Sequence, residues 1–115
     1  MSKLTAGQVT IHLGDEEFTL SCTPRAGIAV SEKFGGFREV LRRLQDFDVG
    51  VATSLIALGA GIKGTEAVKA LQEKVYSAGL VKLTPDLTRF TMMLANGGRD
   101  PEAEGEEGDG GKDAA

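Results

Sequence analysis

The stretch GAGIKG at residues 59–64 has the spacing of a ligand-binding motif in this chain of 115 residues. It matches G-x-G-x-x-G, the glycine pattern that lets a backbone turn approach the pyrophosphate of a dinucleotide. That chemistry needs a buried strand before the glycines, a βαβ unit around them and an acid about 20 residues further on. Here the preceding run, DVGVATSLIAL, is long enough for a helix, and no strong strand-like run follows the next helix. Lys82 and Leu83 occupy the region where the acid belongs, and Asp86 follows a helix-starting proline. Because Lys63 precedes the last glycine, the stretch is not a P-loop either. It reads as a glycine-rich connection between two helices, with no cofactor implied.

The other reactive side chains are equally isolated. His12 is the single histidine and falls on the outward phase of its strand beside Thr10, with no second ligand for a metal and no nucleophile to serve as base. Cys22, the single cysteine, is in phase with Phe18 and Leu20 and reads as a small buried apolar residue. It excludes an internal disulfide framework and a multi-cysteine zinc site. Arg38, Arg42 and Arg43 share one predicted helix with Glu39 and read as a solvated face rather than a phosphate-binding patch. Neither a catalytic nor a metal-binding set emerges, and the expectation is a protein that is not an enzyme. Met92 and Met93, beside Phe90, are a different kind of candidate. Methionine offers an adaptable apolar surface, so Phe90, Met92 and Met93 are the residues expected to bind a partner, with one methionine in the core and one partly exposed.

Charge separates the chain into two parts. From Gly98 onward seven acids face only Arg99 and Lys112, a net of −5, whereas the preceding body is close to neutral at +1. The segment 98–115 contains no large apolar residue, cannot offset its ordering entropy by burial, and is expected to be a disordered acidic tail. The near-neutral body argues against nucleic-acid binding, which phosphate neutralisation drives. No apolar run approaches the roughly 20 residues that span a bilayer, and the first residues lack the apolar core of a secretion signal, so the expected location is cytoplasmic with no membrane contact.

The elements follow from periodicity. QVTIHL (8–13) and EFTLSC (17–22) alternate at period 2 around Gly14-Asp15-Glu16 and predict a β-hairpin with Val9, Ile11 and Leu13 on one face. Thr23 and Pro24 predict an N-cap and first helical residue, for a helix through Ile28, Val30 and Phe34 that stops at Gly35-Gly36. GFREVLRRLQDF carries Phe37, Val40, Leu41 and Leu44 on one stripe, with Glu39 and Arg43 in the favourable i, i+4 order. Asp48 caps a third helix that is apolar on more than one side and therefore central; Thr65 and Glu66 open a fourth that ends at Gly79. Thr84-Pro85-Asp86 reads as the start of a fifth, with Leu87, Phe90 and Leu94 inward and Asn96-Gly97-Gly98 as its end. The fold class is α+β: an N-terminal hairpin packed on a small bundle of four to five helices, one domain over residues 1–97 and a tail over 98–115.

This order of elements resembles a known family. The short hairpin, then FTLSCTPRAGIAVSEKFGGFREVLRRL, then DVGVATSLIALGAGIKG is similar to the small gene-transfer-agent and tailed-phage proteins classed as tail assembly chaperones, also described as tail tube proteins of that group. The match rests on the strand with alternating Phe18 and Leu20, the helix closing on Glu32-Lys33-Phe34-Gly35, the Leu/Arg-rich helix 37–46, and the acid-capped helix that ends in Ala-Gly-Ile-Lys-Gly. It spans about residues 7–95 and carries no catalytic residue. The resemblance implies a chaperone that holds the tape-measure protein, a very long helical chain, until tube subunits polymerise around it. The tape-measure protein, the major tail subunit and further copies of the chain are the partners it implies. Two other readings stand beside it: a structural tail tube or connector subunit retained in a phage-like particle, and a small nucleic-acid-binding regulator using Arg38, Arg42 and Arg43.

Overall fold

A computed structural model describes residues 7–101. It is an α+β domain: strands β1 (Gln8–Leu13) and β2 (Glu16–Ser21), then helices α1 (Pro24–Phe34), α2 (Phe37–Gln45), α3 (Val49–Ala60), α4 (Thr65–Ala78) and α5 (Leu80–Ala95). The expected alternation holds in β1, where Val9, Ile11 and Leu13 are buried and Gln8, Thr10 and His12 are exposed. The strands pair antiparallel with Val9 opposite Leu20 and Leu13 opposite Glu16, so Glu16 joins the ladder and Gly14-Asp15 alone make the turn. A two-stranded sheet is marginal by itself. Its apolar face is covered here, with α3 packed on β2 and with α4 and α5 packed on β1.

The helix boundaries have local causes. Thr23 Oγ1 accepts a hydrogen bond from the Ala26 N–H at 3.1 Å, and Pro24 takes the first helical position, where a missing N–H costs nothing. Asp48 Oδ1 does the same for α3, accepting from the Val51 N–H at 3.1 Å. Between α2 and α3 the Asp48 N–H reaches back to the Arg43 carbonyl at 3.1 Å, which places Phe47 in the left-handed region at φ 58°. Glycine is the usual residue at such a helix end, and a side chain there costs about 1–2 kcal/mol. On the exposed face of α2, Glu39 accepts from Arg43 Nε at 2.9 Å and also pairs with Arg42, as the i, i+4 order predicts.

Helix α3 is the central element, with Val51, Ala52, Leu55, Ile56 and Ala57 all buried. Its two most confining contacts are at Gly59. A Cβ at this position would lie 2.8 Å from Phe90 Cζ and 3.0 Å from Leu20 Cβ, so only glycine lets α3 come this close to both α5 and the hairpin. Two hydroxyls are buried with the aliphatic side chains, and each finds a carbonyl one turn back: Thr53 donates to Val49 and Thr91 to Leu87, both at 2.8 Å.

The fifth helix starts earlier than its Thr84-Pro85 pattern predicts. It runs from Leu80 and carries Pro85 within it. Leu83 and Leu87 are buried and Leu80 packs against the core, so the additional turn gains apolar burial that outweighs the lost backbone bond. The carbonyl that Pro85 cannot serve belongs to Val81, a residue that is 74% exposed. The Thr84 hydroxyl, expected to cap, instead donates to the Leu80 carbonyl at 2.7 Å.

The body also extends beyond the expected boundary at residue 97. Gly98 is buried: its N–H donates to the Met93 carbonyl at 2.8 Å and its own carbonyl accepts from the Gly7 N–H at 2.7 Å. Asp100 pairs with Arg89 at 2.8 Å. Residues 102–115, and with them most of the expected acidic tail, lie outside the described residues. No helix among the described residues is long and apolar enough to cross a membrane.

Candidate partner-binding groove

The residues singled out for chemistry are not brought together. His12 stands on the exposed face of β1, while Cys22 is buried just past the end of β2. Burial pushes the Cys22 thiol up to about 11, with Arg89 pulling weakly in the other direction, so the thiolate needed for nucleophilic work is scarce near neutrality. The three glycines of GAGIKG are absorbed by the fold. Gly59 is the close contact beneath Leu20 and Phe90, and Gly61, at φ 76°, closes α3 while Ile62 donates to the Ala57 carbonyl. Gly64 precedes α4. The turn joins two helices, and no strand leads into it. No cluster of three or more His, Cys, Asp or Glu with metal-binding geometry occurs among the described residues.

The partner-binding triplet is split by the register of α5. Phe90 is fully buried and Met93 is 2% exposed, so both are core side chains; Met92 is 43% exposed. Residues 90 and 93 share the stripe that faces α3 and the hairpin, whereas residue 92 is turned away from it. Met92 lines a shallow depression with Pro85, Thr88, Arg89, Asp100 and Pro101. An apolar partner could meet Met92 there but could not reach Phe90 or Met93 without opening the core.

A groove of larger volume, about 480 Å³, lies elsewhere, between α1, the start of α2 and the end of α5. Pro24, Gly27, Ile28 and Ser31 form one wall; Phe37, Leu94 and Gly98 form the other. Ile28 is 59% exposed. On α1 the spacing 24, 27, 28, 31 is one helical face, and that face looks into the groove while Ala26 and Val30 serve the core. Behind it α1 packs on α5 at ordinary contact distance, since a Cβ at Gly27 would sit 3.7 Å from Leu94 Cδ2.

The far wall is held by three chain segments distant in sequence. The Cys22 N–H donates to the Gly7 carbonyl at 2.9 Å, and the Gly7 N–H donates to the Gly98 carbonyl. Gly98 sits at φ 86°, and a Cβ there would stand 2.5 Å from the Cys22 carbonyl oxygen. The wall is therefore backbone, tied at both ends of the hairpin. The Arg99 guanidinium lies against Gly97 of the lining. Glu32 is the one carboxylate in its lining. Sequence reasoning missed this site because Ile28 and Phe37 look like ordinary core positions at helical spacing. Nothing in the periodicity says that α1 has two apolar faces to satisfy.

Compared with models of protein families, with curated proteins and with solved structures, the chain matches none.

Proposed function

We propose that this protein works by docking, and that its groove receives the apolar stripe of a helix from a partner chain. The observation that carries this is Ile28, a large aliphatic side chain more than half exposed in a concave surface shared with Phe37, Pro24 and Leu94. An amphipathic helix laid in such a groove buries its i, i+3, i+4 anchors against an apolar floor, with affinity set by a few of them. The residues with reactive side chains stand apart from one another, which suits a binding role better than catalysis.

The sequence resemblance names the partner class within this reading. A tail assembly chaperone meets a tape-measure protein, whose long helical stripes would aggregate if left bare. Many copies bound along one such chain gain avidity from modest single contacts. The site of the work would then be the host cytoplasm.

The experiment is a titration of the chain with a synthetic amphipathic helical segment of a tape-measure protein, read by calorimetry. Ile28→Glu is expected to weaken binding by at least about tenfold, the size of one lost anchor of 1–2 kcal/mol. Met92→Glu, on the separate depression of α5, is expected to leave it unchanged. Equal affinities for wild type and Ile28→Glu would remove the groove from the function.

A further inference from the structure

We infer that β1 is a pairing edge, and that two copies of this chain join along it about a two-fold axis into one continuous antiparallel sheet. No residue of the groove takes part, so the two surfaces are independent. The hairpin shows which backbone groups are available. Its two-residue turn, Gly14-Asp15, closes on the pair Leu13–Glu16, and beyond the other end of the ladder the Cys22 N–H donates to the Gly7 carbonyl. Both features put the hydrogen-bonded pairs at the odd-numbered residues of β1, so Val9, Ile11 and Leu13 bond to β2. Gln8, Thr10 and His12 therefore turn their N–H and C=O groups away from β2. All three residues are exposed, and outside the ladder no hydrogen bond from another described residue reaches their backbone. The helices α3, α4 and α5 pack on the hairpin, and a strand added in the plane of the sheet is what this row of donors and acceptors fits.

The two strands of the hairpin differ as edges. Exposed edges are usually blunted by charged side chains, by proline or by a bulge. QVTIHL contains no Lys, Arg, Asp, Glu or Pro, and its pairing runs without a bulge from Gln8 to Leu13. In β2, by contrast, the exposed Glu17 stands in the outward row with Glu16 beside it, and Pro24 opens a helix soon after the strand ends. One edge is guarded by charge and the other is not.

The unguarded strand also fits itself, which is why the occupant is a second copy. Antiparallel pairing about Thr10 sets Thr10 against Thr10 of the second copy and Gln8 against its His12, each pair exchanging both backbone bonds. Threonine facing threonine is a favourable cross-strand pair, and no acid or base meets its like along the joint. The contact is isologous and closes at the dimer, with Val9 of one copy beside Ile11 of the other on the buried face. Joining two hairpins also relieves the weakness of a two-stranded sheet. A joint one strand long belongs with small, transient interfaces of less than about 1,200 Å², so association follows protein concentration.

The test uses the full chain. Amide exchange followed by NMR across a dilution series is expected to show Gln8, Thr10 and His12 slowing as concentration rises, while Glu17, Thr19 and Ser21 stay fast. Slowing of the β2 row instead, or of neither row with the chain monomeric in sedimentation equilibrium, overturns the inference. If the β1 row slows only when a Val/Thr-rich strand peptide is added, the edge serves another protein and self-pairing is overturned. Thr10→Lys changes an exposed side chain, keeps the circular dichroism of the fold, and sets two lysines face to face at the axis. It is expected to weaken the dimer by at least about tenfold, as is Thr10→Glu. An equimolar mixture of the two variants should restore the dimer, because Lys then faces Glu. A dimer that Thr10→Lys leaves unchanged, or a mixture that stays monomeric, overturns the two-fold pairing about Thr10.

Discussion

Gly59→Ala is the sharpest test of why the glycines of GAGIKG are there. The added methyl would meet Phe90 Cζ at 2.8 Å, Leu20 Cβ at 3.0 Å and the Leu20 Cα at 3.3 Å. Comfortable carbon–carbon contact begins near 3.5 Å, so two fully buried side chains and one backbone must yield by several tenths of an ångström. Overpacking of this kind costs about 1–3 kcal/mol. Alanine in a helix returns about 0.5–1 kcal/mol relative to glycine. The net expectation is a loss of about 1–2 kcal/mol, which for a domain of this size lowers Tm by roughly 5–15 °C. Urea unfolding with far-ultraviolet dichroism measures it, with an unchanged m-value expected because the unfolded surface is the same. Phe90→Leu in the Gly59→Ala background should restore part of the loss, and the coupling between the two positions should exceed about 0.5 kcal/mol. If Gly59 instead faced a ligand site, the methyl would enter open space and helix propensity would make Gly59→Ala the more stable protein. That result would refute the packing account.

Gly61→Ala probes the backbone alone: no atom lies within 4 Å, yet φ is 76°, so a loss of about 1–2 kcal/mol is expected in the same assay. Thr23→Ala removes the cap of α1 and should lower stability by about 1 kcal/mol, with Thr23→Ser close to neutral. Phe90→Ala should cost about 3–5 kcal/mol, whereas Met92→Ala should stay within about 0.5 kcal/mol, because one is fully buried and the other is not. Glu39 has its carboxyl held down at about 2 from an ordinary 4.5 by hydrogen bonds from Arg42 and Arg43. Since the folded value is depressed, its contribution is present above about 4.5 and is lost as pH falls toward 2. Glu39→Gln should remove that part of the acid-side slope of Tm against pH while leaving the slope above pH 5 unchanged.

Much of the architecture was legible because local chemistry and packing agree. The β1 alternation, the Thr23 and Asp48 caps, the amphipathic stripe of α2 and the glycine stops at residues 35, 61 and 79 each carry a local signal, and each lies where that signal places it. The fifth helix shows where local signals lose. Thr84-Pro85-Asp86 has the composition of a helix start, but Leu80 and Leu83 gain more by packing on the core than one missing backbone bond costs. The tail boundary moved for a similar reason: the Gly98 backbone completes a hydrogen-bonded junction with Gly7 and Cys22 that no short window of residues can reveal.

By itself, then, the sequence determined the α+β class, the order of elements and the solitary placement of its histidine and cysteine, because propensity, capping and period are properties of neighbouring residues. Only the tertiary structure decided which of several equivalent apolar positions face outward. Ile28 and Met92 share their helices with Val30 and Phe90, and hydropathy cannot rank them. What ranks them is how α1, α3 and α5 pack on one another and on the hairpin, most tightly at Gly59, where the missing side chain lets α3 touch both Phe90 and Leu20.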